Sequence, residues 1–147
     1  MAEVTLFQKQ VLFVQLLPKL FTFAQDSGYQ LTLGEAYRTD EQAELNAMGP
    51  VLRGRVADML SSVYPVLGTK IRNNPRIIGA RNSLHTVRLA IDLNLFRSGI
   101  YLEDTDSFKP LGDYWKTLHP LARWGGDFGP PAGPDGGHFS LTHNGQA

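Results

Sequence analysis

From Leu89 to Leu95 the chain alternates, with Leu89, Ile91, Leu93 and Leu95 on one side and Ala90, Asp92 and Asn94 on the other. That is the period of a strand with one face in the core. No other stretch constrains the fold as much: it commits one face of a sheet to aliphatic packing and leaves a carboxylate in the middle of the opposite face. Strands disfavour aspartate, so Asp92 needs something to hold it. His85 lies just past an expected turn, and both side chains can converge on one point beside the sheet. An imidazole and a carboxylate are two of the three protein ligands of a catalytic zinc site. By itself the spacing is common, and a His–Asp hydrogen bond or a strand-end acid facing water explains it without a metal. A third ligand has to come from elsewhere.

Composition narrows where to look. There is no cysteine, which removes disulfides, thiolate nucleophiles and every Cys-based zinc or iron–sulfur site, so ligands can only be His, Asp or Glu. Basic and acidic residues balance at 14 each, so no global field favours nucleic acid or an anionic membrane surface. The amino terminus lacks a basic region followed by a cleavable apolar segment, and Gln8, Lys9, Gln10 and Gln15 interrupt its apolar residues. No apolar run approaches the roughly 20 residues of a membrane span. A soluble chain made in the cytosol and working as a monomer is expected. Its 147 residues, 42% hydrophobic and 19% charged, are enough for one domain spanning 1–147 with a real core.

In order along the chain, Thr5 and Gln8 fit a capping box that opens a first amphipathic helix to about Phe23, with Phe7, Val11, Val14, Leu17 and Phe21 as its core stripe. Pro18 argues for a kink or an early end. A membrane-active helix is the sharper alternative, but the polar face is glutamine-rich rather than basic. Gln30 to Tyr37 reads as a strand ending at Arg38, and Thr39 with Gln42 opens a helix to about Met48, stopped by Gly49 and Pro50. Arg38 therefore sits at a strand-to-helix junction, where functional groups are often displayed; pairing with Glu41 or Glu44 is the plain alternative. Residues Arg53 to Val63 could form a third helix. With Pro65, Gly68, Asn73, Asn74, Pro75 and Gly79 beyond it, the segment 51–82 reads mainly as a solvated loop, made basic by Arg53, Arg55, Lys70, Arg72, Arg76 and Arg81.

Arg97 to Phe108 reads as a hairpin-like insert whose Glu103, Asp104 and Asp106 form a solvated acidic loop, since the calcium-loop spacing is absent. Leu111 to Leu118 is expected as a short helix ended by Pro120. The last segment, Trp124 to Leu141, has the glycine–proline centre of a linker, yet Trp124, Phe128 and Phe139 bracket it with apolar anchors. His138 and Ser140 share a face there while Phe139 and Leu141 enter the core. Asp135, on a glycine-flanked loop, can fold back toward the same point. His119 and His143 fall outside every motif and are expected to be structural or on the surface.

Two neutral imidazoles, one carboxylate and an open fourth position describe a catalytic rather than a structural zinc site. Zinc lowers the pKa of its water toward about 7 and polarises a carbonyl, so amide hydrolysis is within reach. That reaction needs a general base, for which Asp135 is the candidate. It also needs a donor to the anionic intermediate or to a substrate carboxylate, for which Arg38 is the candidate.

Ser83-x-His85-x6-Asp92, Trp124-Gly125-Gly126-x-Phe128 and Asp135-x-x-His138-Phe139, preceded by Tyr37-Arg38-Thr39, resemble the zinc peptidases that include D-alanyl-D-alanine carboxypeptidases and phage L-alanyl-D-glutamate endolysins. The resemblance covers roughly Gln30 to Leu141. It implies an α+β fold shared with the Hedgehog signalling domain, a small antiparallel sheet flanked by helices. It also implies His85, Asp92 and His138 as zinc ligands, Asp135 as catalytic base, Arg38 as the substrate-binding arginine, and peptidoglycan stem peptides as substrate. An aspartate base resembles the endolysin branch, since the carboxypeptidase and dipeptidase branches commonly use glutamate. A D-alanyl-D-alanine carboxypeptidase or dipeptidase, and a non-catalytic wall-binding or virion protein, are the rival readings. The chain departs from the pattern at Arg88, where the family usually has glycine. An arginine there, expected on the strand face of Asp92, could narrow the cleft, bind substrate or point outward. The stretch from Pro50 to Asn82 is also longer than the family's core needs.

Overall fold

A computed structural model describes residues 4–73 and 83–147. Among these residues the fold is α+β, with five α-helices and one small antiparallel sheet. The centre of the sheet is β2 (Ala90–Arg97), on which Leu95 is fully buried and Ile91 and Leu93 nearly so, with Leu89 buried just before it, the face expected from the alternation. β1 (Gln30–Leu33) pairs antiparallel with its distal half, Leu31 opposite Leu95 and Leu33 opposite Leu93. β3 (Ile100–Leu102) closes a hairpin on β2. β5 (His138–Leu141) pairs with its proximal half, Ala90 opposite Ser140 and Asp92 opposite His138, and β4 (Ala122–Trp124) lies outside β5.

The core is completed by α1 (Leu6–Asp26) and α5 (Thr105–Leu118). Both halves of the Thr5–Gln8 capping box are formed. The buried stripe of α1, however, is Phe13, Leu16, Leu20 and Ala24, while Phe7 is 72% and Val14 65% exposed. The helix is apolar on more than one side, and the partner chooses: Phe13 meets the edge of Trp115 at 5.8 Å, and Phe23 stacks on Tyr114 at 4.1 Å. Pro18 does not end the helix. It lies on the exposed side, where the Val14 carbonyl it leaves unpaired can be hydrated. Gly28, with φ +80, turns the chain out of α1 into β1.

The strand expected to Tyr37 stops at Leu33 because the next two residues both face Asp92. The Gly34 N–H donates to the Asp92 carbonyl (2.8 Å) and the Asp92 N–H to the Glu35 carbonyl (2.7 Å). Two residues opposite one make a bulge, a device that redirects the chain beyond it. Glycine suits it, since a Cβ at Gly34 would sit 3.0 Å from the Asp92 oxygen. The helix opened by Thr39 forms as α2 (Asp40–Ala47).

The possible third helix forms as α3 (Pro50–Ser61), and beyond it the expected loop is instead a second helix, α4 (Pro65–Arg72), packed on the first as a hairpin. Pro50 and Pro65 each begin a helix, where the missing N–H costs nothing. Gly68 lets the two meet: a Cβ there would lie 2.4 Å from Ser61 Oγ and 2.9 Å from the Ala57 carbonyl. The cations are engaged as well, Arg53 on the Met48 carbonyl and Arg72 on Asp58. Asn74, Pro75, Arg76, Gly79 and Arg81 lie outside the described residues. The expected acidic loop is also a helix start. Asp104 caps α5, accepting the Ser107 N–H at 2.8 Å and the Ser107 hydroxyl at 2.7 Å, so α5 begins six residues before Leu111. His119 accepts the Leu121 N–H and His143 meets Lys9 Nζ at 3.4 Å, both away from the cleft motifs.

Candidate metal centre

Three elements bring the ligand candidates together. Residues 83–88 form a turn in which the Thr86 N–H and hydroxyl both bond the Ser83 carbonyl, and the Arg88 N–H bonds that of His85 at 3.3 Å. The turn ends at Arg88 in the left-handed region, φ +56, a conformation that glycine adopts without strain. This gives the familial glycine a physical reason. Arg88 precedes the strand rather than standing on it, and its guanidinium folds over the Tyr37 ring, 4.2 Å from the centroid. Of the three placements open for it, the outward one is observed.

His85 is 2% and His138 8% exposed. His85 Nε2 lies 3.3 Å from His138 Nδ1 and 3.3 Å from Asp92 Oδ1, and His138 Nδ1 lies 3.0 Å from the same oxygen. Donors bound tetrahedrally at about 2.0–2.1 Å stand about 3.3 Å apart, so this triangle fits one zinc-sized ion. The outward nitrogens, His85 Nδ1 and His138 Nε2, are buried and make no hydrogen bond, so each imidazole is directed inward by packing. Burial alone would push the Asp92 carboxyl up. The hydrogen bonds and positive charge of His138 and His85 outweigh it and hold the carboxyl well below its ordinary value of 3.8. Among the described residues, His85, Asp92 and His138 form the only grouping of this kind.

Asp135 is exposed and lies outside that triangle. Its backbone is pinned on both sides: its N–H donates to the Gly125 carbonyl (2.8 Å) and its carbonyl accepts the His138 N–H (3.2 Å). Trp124 Nε1 donates to the Gly136 carbonyl at 2.8 Å, and the ring packs on Gly112 and Gly126. The glycine–proline segment is therefore anchored by the aromatic residues that bracket it, as expected. Arg38 is 4% exposed and pairs with Glu35 and Ser83, not with Glu41 or Glu44. Sequence reasoning passed over Glu35 and gave Gly125 only as part of the Trp124-Gly125-Gly126 motif, with no role. Glu35 precedes Arg38 by one helical turn's spacing on an extended segment, where only the bulge turns them together.

The family model for D-alanyl-D-alanine carboxypeptidase matches residues 78–141, which include every candidate above except Arg38. The fold is similar to that of the L-Ala D-Glu endopeptidase ChiX of Serratia marcescens, with 88% of this chain and 79% of that one aligned at TM-score 0.50 and 16% identity. The vancomycin-resistance D,D-pentapeptidase VanY of a VanB-type cassette, solved with Zn(II), aligns over 88% and 70% of the two chains at 0.46 and 16%. VanYB with D-alanine-D-alanine aligns over 88% and 68% at 0.48 and 17%. No curated protein sequence matches the chain. The family match lies on the strand, turn and loop that build the three-ligand triangle, and together they support a zinc metallopeptidase.

Proposed function

We propose that this zinc peptidase hydrolyses the stem peptides of bacterial peptidoglycan as an endopeptidase between L-alanine and D-glutamate. It would be a lysis enzyme of the phage endolysin type, made in the host cytoplasm and acting on the wall after release. The triangle of His85, Asp92 and His138 carries the peptidase reading. These residues would hold a zinc ion, which when bound supplies an acidified water and an electrophile for the scissile carbonyl. Asp135 takes a proton onto a carboxylate oxygen from the attacking water and returns it to the departing amine nitrogen. Its backbone links to Gly125 and His138 keep it beside the ligand it works with.

The endopeptidase assignment follows the aspartate at position 135, which resembles the endolysin branch; the Arg38 fork holds the Glu35 carboxylate and Ser83. Its leftover N–H groups can still donate to a substrate oxygen. Mass spectrometry of digested muropeptides tests the assignment. New amino-terminal D-glutamate is expected, while loss of terminal D-alanine alone would make the enzyme a carboxypeptidase. Wall binding without any released fragment would make it a non-catalytic protein.

A further inference from the structure

A cation that is 4% exposed is unfavourable unless fully partnered, and the partners of Arg38 lead to both walls of the metal centre. Arg38 Nε donates to Glu35 Oε1 at 2.9 Å, and Nη2 pairs with Glu35 Oε2, a side-by-side fork. Nη1 donates to Ser83 Oγ at 3.2 Å. That hydroxyl oxygen also accepts the His85 N–H at 3.3 Å, while the Arg38 N–H donates to the His85 carbonyl at 3.4 Å. The peptide groups on either side of His85 are thus held at both ends, and both holds return to one arginine. The same segment reaches the second ligand, since the Glu35 carbonyl accepts the Asp92 N–H.

We propose that Glu35 and Ser83 are positioning residues of the metal centre: acting through Arg38, they fix the turn that aims His85 Nε2 at Asp92 and His138. Neither side chain belongs to the ligand triangle. Glu35 fixes the guanidinium plane and balances its charge; Ser83 passes that placement to the His85 backbone. The inference rests on the reading of His85, Asp92 and His138 as zinc ligands.

The test is zinc affinity, measured on the metal-stripped full chain by competition with a chromophoric chelator, beside steady-state kinetics at saturating zinc. Glu35→Gln can keep only one of the two fork bonds, because its amide presents a donor where the second oxygen accepted. Outer groups that orient ligands are typically worth about 10–100-fold in metal affinity, and a loss of that size is expected, with KM at saturating zinc within about twofold of wild type. Ser83→Ala weakens zinc in the same direction, and the double variant falls short of the product of the two, because both act through Arg38. Leu20→Ala, fully buried on α1 and outside the cluster, lowers thermal stability without moving zinc affinity, which separates positioning from general destabilisation. If the wild type binds no zinc, the metal reading itself fails. If it binds zinc tightly and Ser83→Ala binds equally tightly, the positioning role fails while the metal reading stands, even where Glu35→Gln does not fold. Unchanged zinc affinity with a raised KM would assign the cluster to substrate instead.

Discussion

Gly125→Ala is the sharpest perturbation of the site that replaces none of its side chains. A Cβ at this position would lie 2.3 Å from the Asp135 carbonyl oxygen and 2.7 Å from His138 Cβ, where ordinary contacts begin at 3.4 Å. Neither neighbour is a flexible side-chain tip. The first is backbone and the second is fixed to β5, whose four residues are all buried. Relief therefore requires the 135–138 loop to move by about 1 Å, and the Asp135 N–H bond to the Gly125 carbonyl stretches with it. A misplacement of about 1 Å can cost roughly 100-fold in rate, equivalent to about 2.7 kcal/mol of barrier. Overpacking typically costs a further 1–3 kcal/mol of folding stability, to order of magnitude. Expected is a fall of about 100-fold in kcat/KM on soluble muropeptides and weakened zinc, read by chelator competition. Gly54→Ala is the control: a Cβ there meets nothing within 4 Å, and in a helix interior the change should stabilise by about 0.5–1 kcal/mol. Wild-type turnover and zinc affinity in Gly125→Ala would show that the loop is not seated on Gly125.

Asp135→Asn should retain near-stoichiometric zinc by metal analysis yet lose hydrolysis by about 100- to 10,000-fold, the usual worth of a general base; full activity removes Asp135 from the mechanism. Chelation should abolish muropeptide cleavage and added zinc restore it, and cleavage that persists in fully stripped protein would defeat the metal assignment. At Arg88, with φ +56, glycine should be accepted with folding and activity intact, whereas Arg88→Val should lower the unfolding midpoint by the equivalent of about 1–3 kcal/mol; equal stability of the two would remove backbone conformation as the reason. For the metal-free protein, the Asp92 pKa is lowered in the folded state. Its contribution is therefore complete above the ordinary value of 3.8 and declines as pH falls below it toward the folded value. Urea unfolding at stepped pH should show this acid-side loss, reduced in Asp92→Asn.

The central strand, the capping box of α1 and the residues that gather as His85, Asp92 and His138 were legible because each depends on neighbours close in sequence or on chemistry with few alternatives. Alternation from Leu89 to Leu95 selects the buried face, and without cysteine only His, Asp and Glu can ligate. Several readings changed, each for a tertiary reason: the strand expected to Tyr37 stops at Leu33 where the bulge begins, and Arg88 precedes the strand rather than standing on it. The stripe of α1 was only partly right, with Leu17 and Phe21 against the core but Phe7, Val11 and Val14 exposed, because the helix is apolar around more than one face and contact with Trp115 and Tyr114 decided which one packs. Beyond the possible third helix the segment was read as loop because Pro65 and Gly68 look like breakers singly, whereas in the structure Pro65 begins a helix and Gly68 lets two helices touch. The acids at 103–106 are exposed as expected, but they were read as loop because Asp104 is a helix cap only in the presence of the helix it caps.

By itself, then, the amino-acid order determined what chemistry this protein can host: two imidazoles and carboxylates in motifs whose residue types suit zinc and a base. It did not determine where those groups stand relative to one another. The triangle of 3.0 to 3.3 Å exists because β5 pairs with β2 in the register that sets His138 opposite Asp92, and the 83–88 turn swings His85 over both. Likewise Arg38 finds Glu35 and Ser83 only after a two-residue bulge opposite Asp92 turns the chain. Register and bulges are settled by packing among residues distant along the chain, so such placements come into being only when the sheet closes.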